Sequence, residues 1–202
     1  MSEWLDPSHV VAYRTNAVPH RSEGEAVLLD LLPGRLARVL DLGCGDGRLT
    51  GLIRAARPEA GCVAMDFSPV MLEAARERFA ADRMVEIVQH DFSLRLPCTG
   101  TFDAVVSSFA IHHLPPTGQR ALYEQVRDLL RPGGVLLNLE HVASPTRRLH
   151  ERFFAVINRA EDPSNQLVEV ETQLSWLREI GFEDVDCHWK WLELALLGGS
   201  RP

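Results

Sequence analysis

The chain has 202 residues, 46% of them hydrophobic and 24% charged, with a net charge of −7. That length supports one substantial core, and the acidic balance argues against nucleic acid as a partner, because binding there depends on basic residues meeting phosphates. Cys44, Cys62, Cys98 and Cys187 form no C-x-x-C pair and no stretch approaches the roughly 18 apolar residues of a membrane span, so a reduced, cytoplasmic protein without membrane contact is expected.

Residues 1–22 mix Trp4, Tyr13, Arg14, His20 and Arg21 with polar and turn residues. Glu25 to Leu32 follows as a helix with Ala26, Leu28, Leu29 and Leu32 inward, stopped by Pro33-Gly34. The next stretch, VLDLGCGDGRLT from Val39 to Thr50, organises the rest. Its apolar start is the length of a buried strand, Gly43, Gly45 and Gly47 make a tight turn, and Leu49, Leu52 and Ile53 begin a helical spacing. Glycine, lacking Cβ, lets a ligand lie against the main chain beside the free amides of a helix start. A dinucleotide fingerprint needs a third glycine at the position held here by Arg48. Asp41 would moreover repel a pyrophosphate, whereas it could accept hydrogen bonds from an ammonium.

A second strand, Cys62 to Met65, ends in Asp66, about 20 residues past the glycine turn, where a carboxylate accepts ribose hydroxyls. Phe67 can lie against a purine, and Ser68-Pro69 caps a helix carrying Met71, Leu72, Ala75 and Phe79. The third strand, in VEIVQHDF, ends at Asp91, placed to receive the exocyclic amine of adenine. Phe102 to Phe109 reads as a buried fourth strand, with His112 and His113 directly after it. Adjacent histidines diverge and lack helical i, i+4 pairing, so no metal site is expected; a general base at His113 and a structural role both stand open.

Gln119 to Leu130 is a crossover helix ended by Arg131-Pro132-Gly133-Gly134, and strand five, Val135 to Leu139, runs into Glu140-His141. Those two polar residues at a strand's carboxyl end are candidates for substrate contact or a capping pair for the next loop. Residues 144–166 break the alternating pattern with an amphipathic segment, HERFFAVINRAED, which is either a substrate cap or a packing helix with a solvated basic face. Val168 to Ile180 makes the last helix. Glu183 to Lys190 and Leu192 to Gly198 then read as two strands that their short connection forces antiparallel.

DLGCGDG, MDFSPVML, HDF, FDAVVSSFAIHHL and LLRPGGVLLNLEHV together resemble the class I S-adenosylmethionine-dependent methyltransferases, in particular the broad group acting on small molecules. The resemblance implies a Rossmann-like three-layer α/β sandwich: a seven-stranded, mostly parallel sheet with an antiparallel seventh strand, forming one domain over residues 1–202. It implies S-adenosyl-L-methionine as methyl donor, no metal, a small-molecule acceptor, and a monomer or homodimer. The glycine loop (Asp41, Gly43, Cys44, Gly45, Gly47) would cradle the methionine moiety, Asp66, Phe67 and Met71 the nucleoside, and Asp91 with Phe92 the adenine. The segment Ser107 to Phe109 would close over the cofactor from strand four, with Ser107 as its contact. The N-terminal arm would be a lid, with Arg21 on the cofactor carboxylate and Tyr13 above it, or else a solvated tail. His113, His141 and Glu140 are the candidates for catalysis. Two other classes stay open: a nicotinamide oxidoreductase, disfavoured by Arg48 and Asp41, and a protein that binds this cofactor without methylating.

Overall fold

The computed structural model describes residues 18–97 and 100–202. Tyr13, with most of the N-terminal arm, and Cys98 lie outside them. Strands β1 (Arg38–Leu42), β2 (Gly61–Asp66), β3 (Val85–Gln89), β4 (Phe102–Ser108), β5 (Leu130–His141), β6 (Glu183–Trp191) and β7 (Leu194–Ser200) form one seven-stranded sheet. Its order is β3-β2-β1-β4-β5-β7-β6, parallel throughout except for β7, which runs antiparallel to both neighbours. This is the Rossmann-like α/β architecture with the reversed seventh strand.

The central strands are apolar on both sides because helices cover both faces. Val39, Cys62, Ala104 and Val106 face helices α1 (Arg21–Leu31) and α2 (Arg48–Ala56), through Leu28, Leu49 and Ile53. Leu72 of α3 (Pro69–Arg78) packs on Ala64 and the β3 side chains Val85 and Ile87. Leu40, Leu42, Val63 and Met65 point to the other face, under Leu122, Tyr123 and Val126 of α4 (Pro116–Leu129) and Leu177 of α6 (Val170–Ile180). Alternate residues of β1 thus serve opposite layers, the period of two that a pleated strand imposes. The segment after β5 carries α5 (Arg147–Ile157), capped by Thr146, whose side chain accepts from Leu149 N. Its Phe153 is buried in the same cluster as Leu28 and Leu194.

Three expectations shift in detail. Arg21 belongs to α1, not to the arm, because it opens that helix and bonds Glu25 one turn on at 2.8 Å. The Arg131–Gly134 turn lies inside β5: Leu130 already pairs with Phe102, and the register slips between Phe102 and Ala104 to pass over Gly133, whose φ is 77°. β7 begins at Leu194 because Leu192, at φ 48°, makes the hairpin turn. Among the described residues no helix is long and apolar enough to cross a membrane.

Candidate functional site

A cleft of about 740 Å³, its open mouth included, lies over the carboxyl ends of β1–β4, the rim where open α/β sheets take ligands. Its floor is the glycine turn. After Leu42 the chain takes φ of 70°, 55° and 79° at Gly43, Gly45 and Gly47, conformations that side chains resist. The amides of Gly43 and Cys44 donate to the Met65 carbonyl at 2.8 and 3.0 Å, tying the turn to β2. A Cβ on Gly45 would meet nothing nearer than the Met71 thioether at 3.9 Å, and both residues line the cleft. The missing side chain therefore leaves main chain bare to a ligand.

Asp66, buried at the end of β2, takes Gly45 N at 2.9 Å on Oδ2 and Ser68 N at 2.8 Å on Oδ1. Burial raises its pKa above the usual carboxylate value, against the pull of those amides. Phe67 and Met71 continue the wall from α3, whose N-cap Ser68 accepts from Met71 N. Asp91 and Phe92 close the β3 side, with Asp91 Oδ1 held by Ser93 N at 2.9 Å. The cleft thus brings together Gly43, Cys44, Gly45, Asp66, Phe67, Met71, Asp91, Phe92, Arg21 and His113 of the sequence-expected set.

Other expected residues lie elsewhere. Ser107 turns away from the cleft and donates from Oγ to Leu42 O at 2.8 Å. Ser108, on the opposite face of the pleat, lines the cleft in its place. Gly47 does not border the cleft; a Cβ there would stand 2.4 Å from Phe79 Cε2, so it serves packing between α2 and α3. Asp41 lies fully buried behind the turn, outside the lining, with Oδ2 accepting from Thr50 Oγ1 at 2.6 Å and Oδ1 unmatched among the described residues. Glu140 is also buried away from the cleft, paired with His112 Nδ1 and accepting from the amides of His112 and His141. His141 faces Glu193 at 2.9 Å and packs edge-on to Phe154, again outside the lining.

Desolvation lifts the Asp41 carboxyl from 3.8 to about 6, the Thr50 bond only partly offsetting it. Its folded-state value lies above its unfolded one, so the folded protein holds that proton more tightly and loses stability as pH rises from 3.8 toward 6. The charge then costs roughly 3 kcal/mol at neutral pH. Asp41→Asn, which keeps an acceptor for Thr50, is expected to raise the melting temperature at pH 7.5 and to flatten the pH dependence between pH 4 and 6. Thermal denaturation across that range checks it.

Arg21 is expected at this end of the cleft; the carboxylate that holds it and the second guanidinium are not. Glu25, buried in α1, receives Arg21 Nε at 2.8 Å together with Arg48 Nε at 2.8 Å and Nη2 at 2.7 Å. Arg21 also reaches Ser108 Oγ at 3.2 Å and lies 5.2 Å from the centre of the Phe109 ring. One carboxylate thus holds two guanidiniums at that end of the cleft. Phe109 sits at φ 56°, a strained conformation for an aromatic residue, held by its amide's bond to Leu139 O. Among the described residues no three His, Cys, Asp or Glu side chains cluster to hold a metal.

A bare glycine turn at the first strand's end, buried or half-buried carboxylates at the next two strand ends, and a reversed seventh strand define a cofactor-binding α/β protein of the methyltransferase type. Residues 39–134 match the family model of a methyltransferase domain. A carboxy-S-adenosyl-L-methionine synthase of Geobacter sp. (strain M21) is 30% identical over 169 residues, which cover 80% of this chain and 68% of that one. The demethylmenaquinone methyltransferase of Clavibacter sepedonicus is 33% identical over 74% of this chain and 66% of its own. Among solved structures, the S-adenosylmethionine-dependent methyltransferase SibL superposes at a TM-score of 0.73, with 25% identity over 97% of this chain and 62% of that one. The chain belongs to the S-adenosylmethionine-dependent methyltransferase family. It spans about two thirds of the length of the curated relatives it matches, 66% in the demethylmenaquinone enzyme.

Proposed function

We propose that this chain binds S-adenosylmethionine in the cleft and transfers its methyl group to an oxygen, nitrogen or carbon nucleophile of a small molecule. The observation that carries the reading is the pairing of Gly45, whose absent side chain leaves room against Met71, with the Asp66 carboxylate anchored on the Gly45 amide itself. When bound, the cofactor supplies a methyl group activated by a sulfonium centre. Gly43 to Gly45 would bear the methionine portion on bare main chain, and Asp66 the ribose hydroxyls through lone pairs the two amides leave over. Asp91 and Phe92 would frame the adenine, and Arg21, held by Glu25, would face the carboxylate. Ser108 replaces Ser107 in this assignment. The protein's share of catalysis is alignment of donor and acceptor and exclusion of water, an effect that can reach about 7 kcal/mol.

Isothermal titration with S-adenosylmethionine should show one site, and NADH none. A metabolite panel read as S-adenosylhomocysteine formed then tests transfer. Absence of cofactor binding overturns the reading. Relatives named carboxy-S-adenosyl-L-methionine synthases favour one second reading, use of the cofactor for a reaction other than methylation. Mass spectrometry separates the two, since a modified sulfonium in place of S-adenosylhomocysteine supports the second. The small-molecule acceptor and the cytoplasmic setting belong to the same proposal.

A further inference from the structure

The β6–β7 turn carries Glu193, fully buried, to a point where two histidines meet it. Its Oε2 lies 2.9 Å from Nε2 of His141, at the end of β5, and its Oε1 lies 2.9 Å from Nδ1 of His150, on α5. Ser144 adds a side-chain bond to the same carboxylate. The other ring nitrogen of His150, Nε2, stands 3.3 Å from Oε2 of Glu161, in the loop that follows α5. An ionised carboxylate only accepts, so a ring with one on each nitrogen carries both hydrogens and is an imidazolium. One side chain thereby ties α5, its loop and the β6–β7 turn together.

The charges around it agree with that state. Burial raises the Glu193 pKa, but the bonds from His141, Ser144 and His150 bring it below the usual carboxylate value. Partial burial opposes a charge on His150, and the two carboxylates outweigh it, raising its pKa above 6.5. A proton held more tightly in the docked form makes docking firmest below pH 6.5 and weaker as the pH rises through the raised value. On α5 itself Arg147 pairs with Glu151, both exposed, the loop also carries Arg159 and Asp162, and beside His141 the Glu140 carboxylate takes His112.

The remaining grip on α5 does not titrate: Phe153 is buried with Leu28 and Leu194, and Phe154 stands edge-on to His150 at 4.9 Å. Beyond Glu161 the loop reaches the cleft. Ser164 Oγ lies 3.1 Å from Nδ1 of His113, which lines the cleft, and Gln166 N donates to His112 O at 2.8 Å. Loosening α5 and its loop therefore moves the layer behind His113.

We propose that His150, held as an imidazolium between Glu193 and Glu161, is a pH-operated strap: protonated, it binds α5 and its loop against the sheet, and deprotonated, it turns a lone pair on Glu161 and releases them, opening the His113 side of the cleft. The strap stands on the geometry of these side chains; its service to an incoming acceptor rests on the methyl-transfer reading.

The test needs no acceptor. Hydrogen exchange of the full chain, corrected for the intrinsic rate at each pH, should show residues 147–164 losing protection by about threefold or more between pH 6 and pH 8.5, while β1 keeps its own. In 15N-histidine-labelled protein the His150 ring, identified by the signal lost in His150→Gln, should carry both hydrogens at pH 6 and titrate above 6.5. Glu161→Gln, at an exposed side chain where folding is not at stake, should bring that midpoint down and shrink the pH dependence of exchange. His150→Gln, whose amide still donates to Glu193, should abolish the dependence. A midpoint at or below 6.5, a midpoint that Glu161→Gln leaves unmoved, or a pH dependence that survives in His150→Gln overturns the proposal. Titration of the wild type with S-adenosylmethionine separates this from the cofactor reading. A strap that titrates in a protein without cofactor affinity refutes the reading of the cleft and leaves the strap standing; cofactor binding with pH-independent exchange does the reverse.

Discussion

Asp66→Ala is expected to weaken S-adenosylmethionine binding at least a hundredfold, to the limit of detection by calorimetry. The carboxylate stands in the cleft wall with one amide on each oxygen, Gly45 N at 2.9 Å and Ser68 N at 2.8 Å. A carboxylate offers about four lone-pair positions, so each oxygen keeps one for a ribose hydroxyl. Removing it deletes both ribose contacts, and hydrogen bonds to a charged group contribute about 1.5–3 kcal/mol each. It also leaves two amides without their acceptor and loosens the glycine turn that Gly45 anchors. Asp66→Asn separates these effects, since it keeps one acceptor oxygen while placing an NH2 where the second amide donates. The expected order of affinity is wild type, then Asn, then Ala. Equal affinity in wild type and Asp66→Ala would remove the ribose assignment, and with it the geometric basis of the cofactor reading.

The parts of this site that local sequence could reveal are those made by residues close in the chain. Gly43, Gly45, Asp66 and Asp91 each lie at or just past a strand's end, so a strand-turn-helix pattern locates them without any knowledge of packing. Ser107 shows where such reasoning stops: two serines in succession lie on opposite faces of β4, and apolar neighbours on both sides carry no alternation to say which faces the cleft. Gly47 shows the same limit, since its reason is Phe79, a turn and a helix away. Glu25 opens a helix in the sequence, and only the approach of Arg48 from α2 makes it the carboxylate that holds two guanidiniums. Glu140 and His141 lie at the strand end where ligands bind, as their position suggested. What removes them from the cleft is long-range: His112 comes back from the β4 side to take Glu140, and Glu193, in the β6–β7 turn, takes both His141 and His150.

Glu140→Ala should destabilise the protein by about 3–5 kcal/mol, the usual cost of removing one member of a buried pair. The side chain is 1% exposed, and its two oxygens engage His112 Nδ1 and the amides of His112 and His141. Burial alone would raise its pKa, yet the His112 ring and these donors hold it below the usual carboxylate value. A carboxylate whose folded-state pKa is lowered stabilises the fold above its unfolded value and withdraws that support as the pH falls through it. The wild type should therefore lose stability on acidification below about pH 4.5, a loss that Glu140→Ala lacks. Near this polar cluster Asn138 donates to the Tyr123 hydroxyl at 3.0 Å, and that hydroxyl donates to Gln173 at 2.7 Å, so the damage reaches α4 and α6 together. At two to four degrees per kcal/mol for a chain of this size, the melting temperature should fall by roughly 10 °C. Replacing both partners, His112→Leu with Glu140→Leu, should recover much of the loss, because an apolar pair leaves no unpaired charge behind. Cofactor affinity measured well below the melting temperature should stay close to that of the wild type, since neither residue borders the cleft. A Glu140→Ala protein as stable as the wild type but unable to turn over an acceptor would return Glu140 to the substrate role that its position at the end of β5 first suggested.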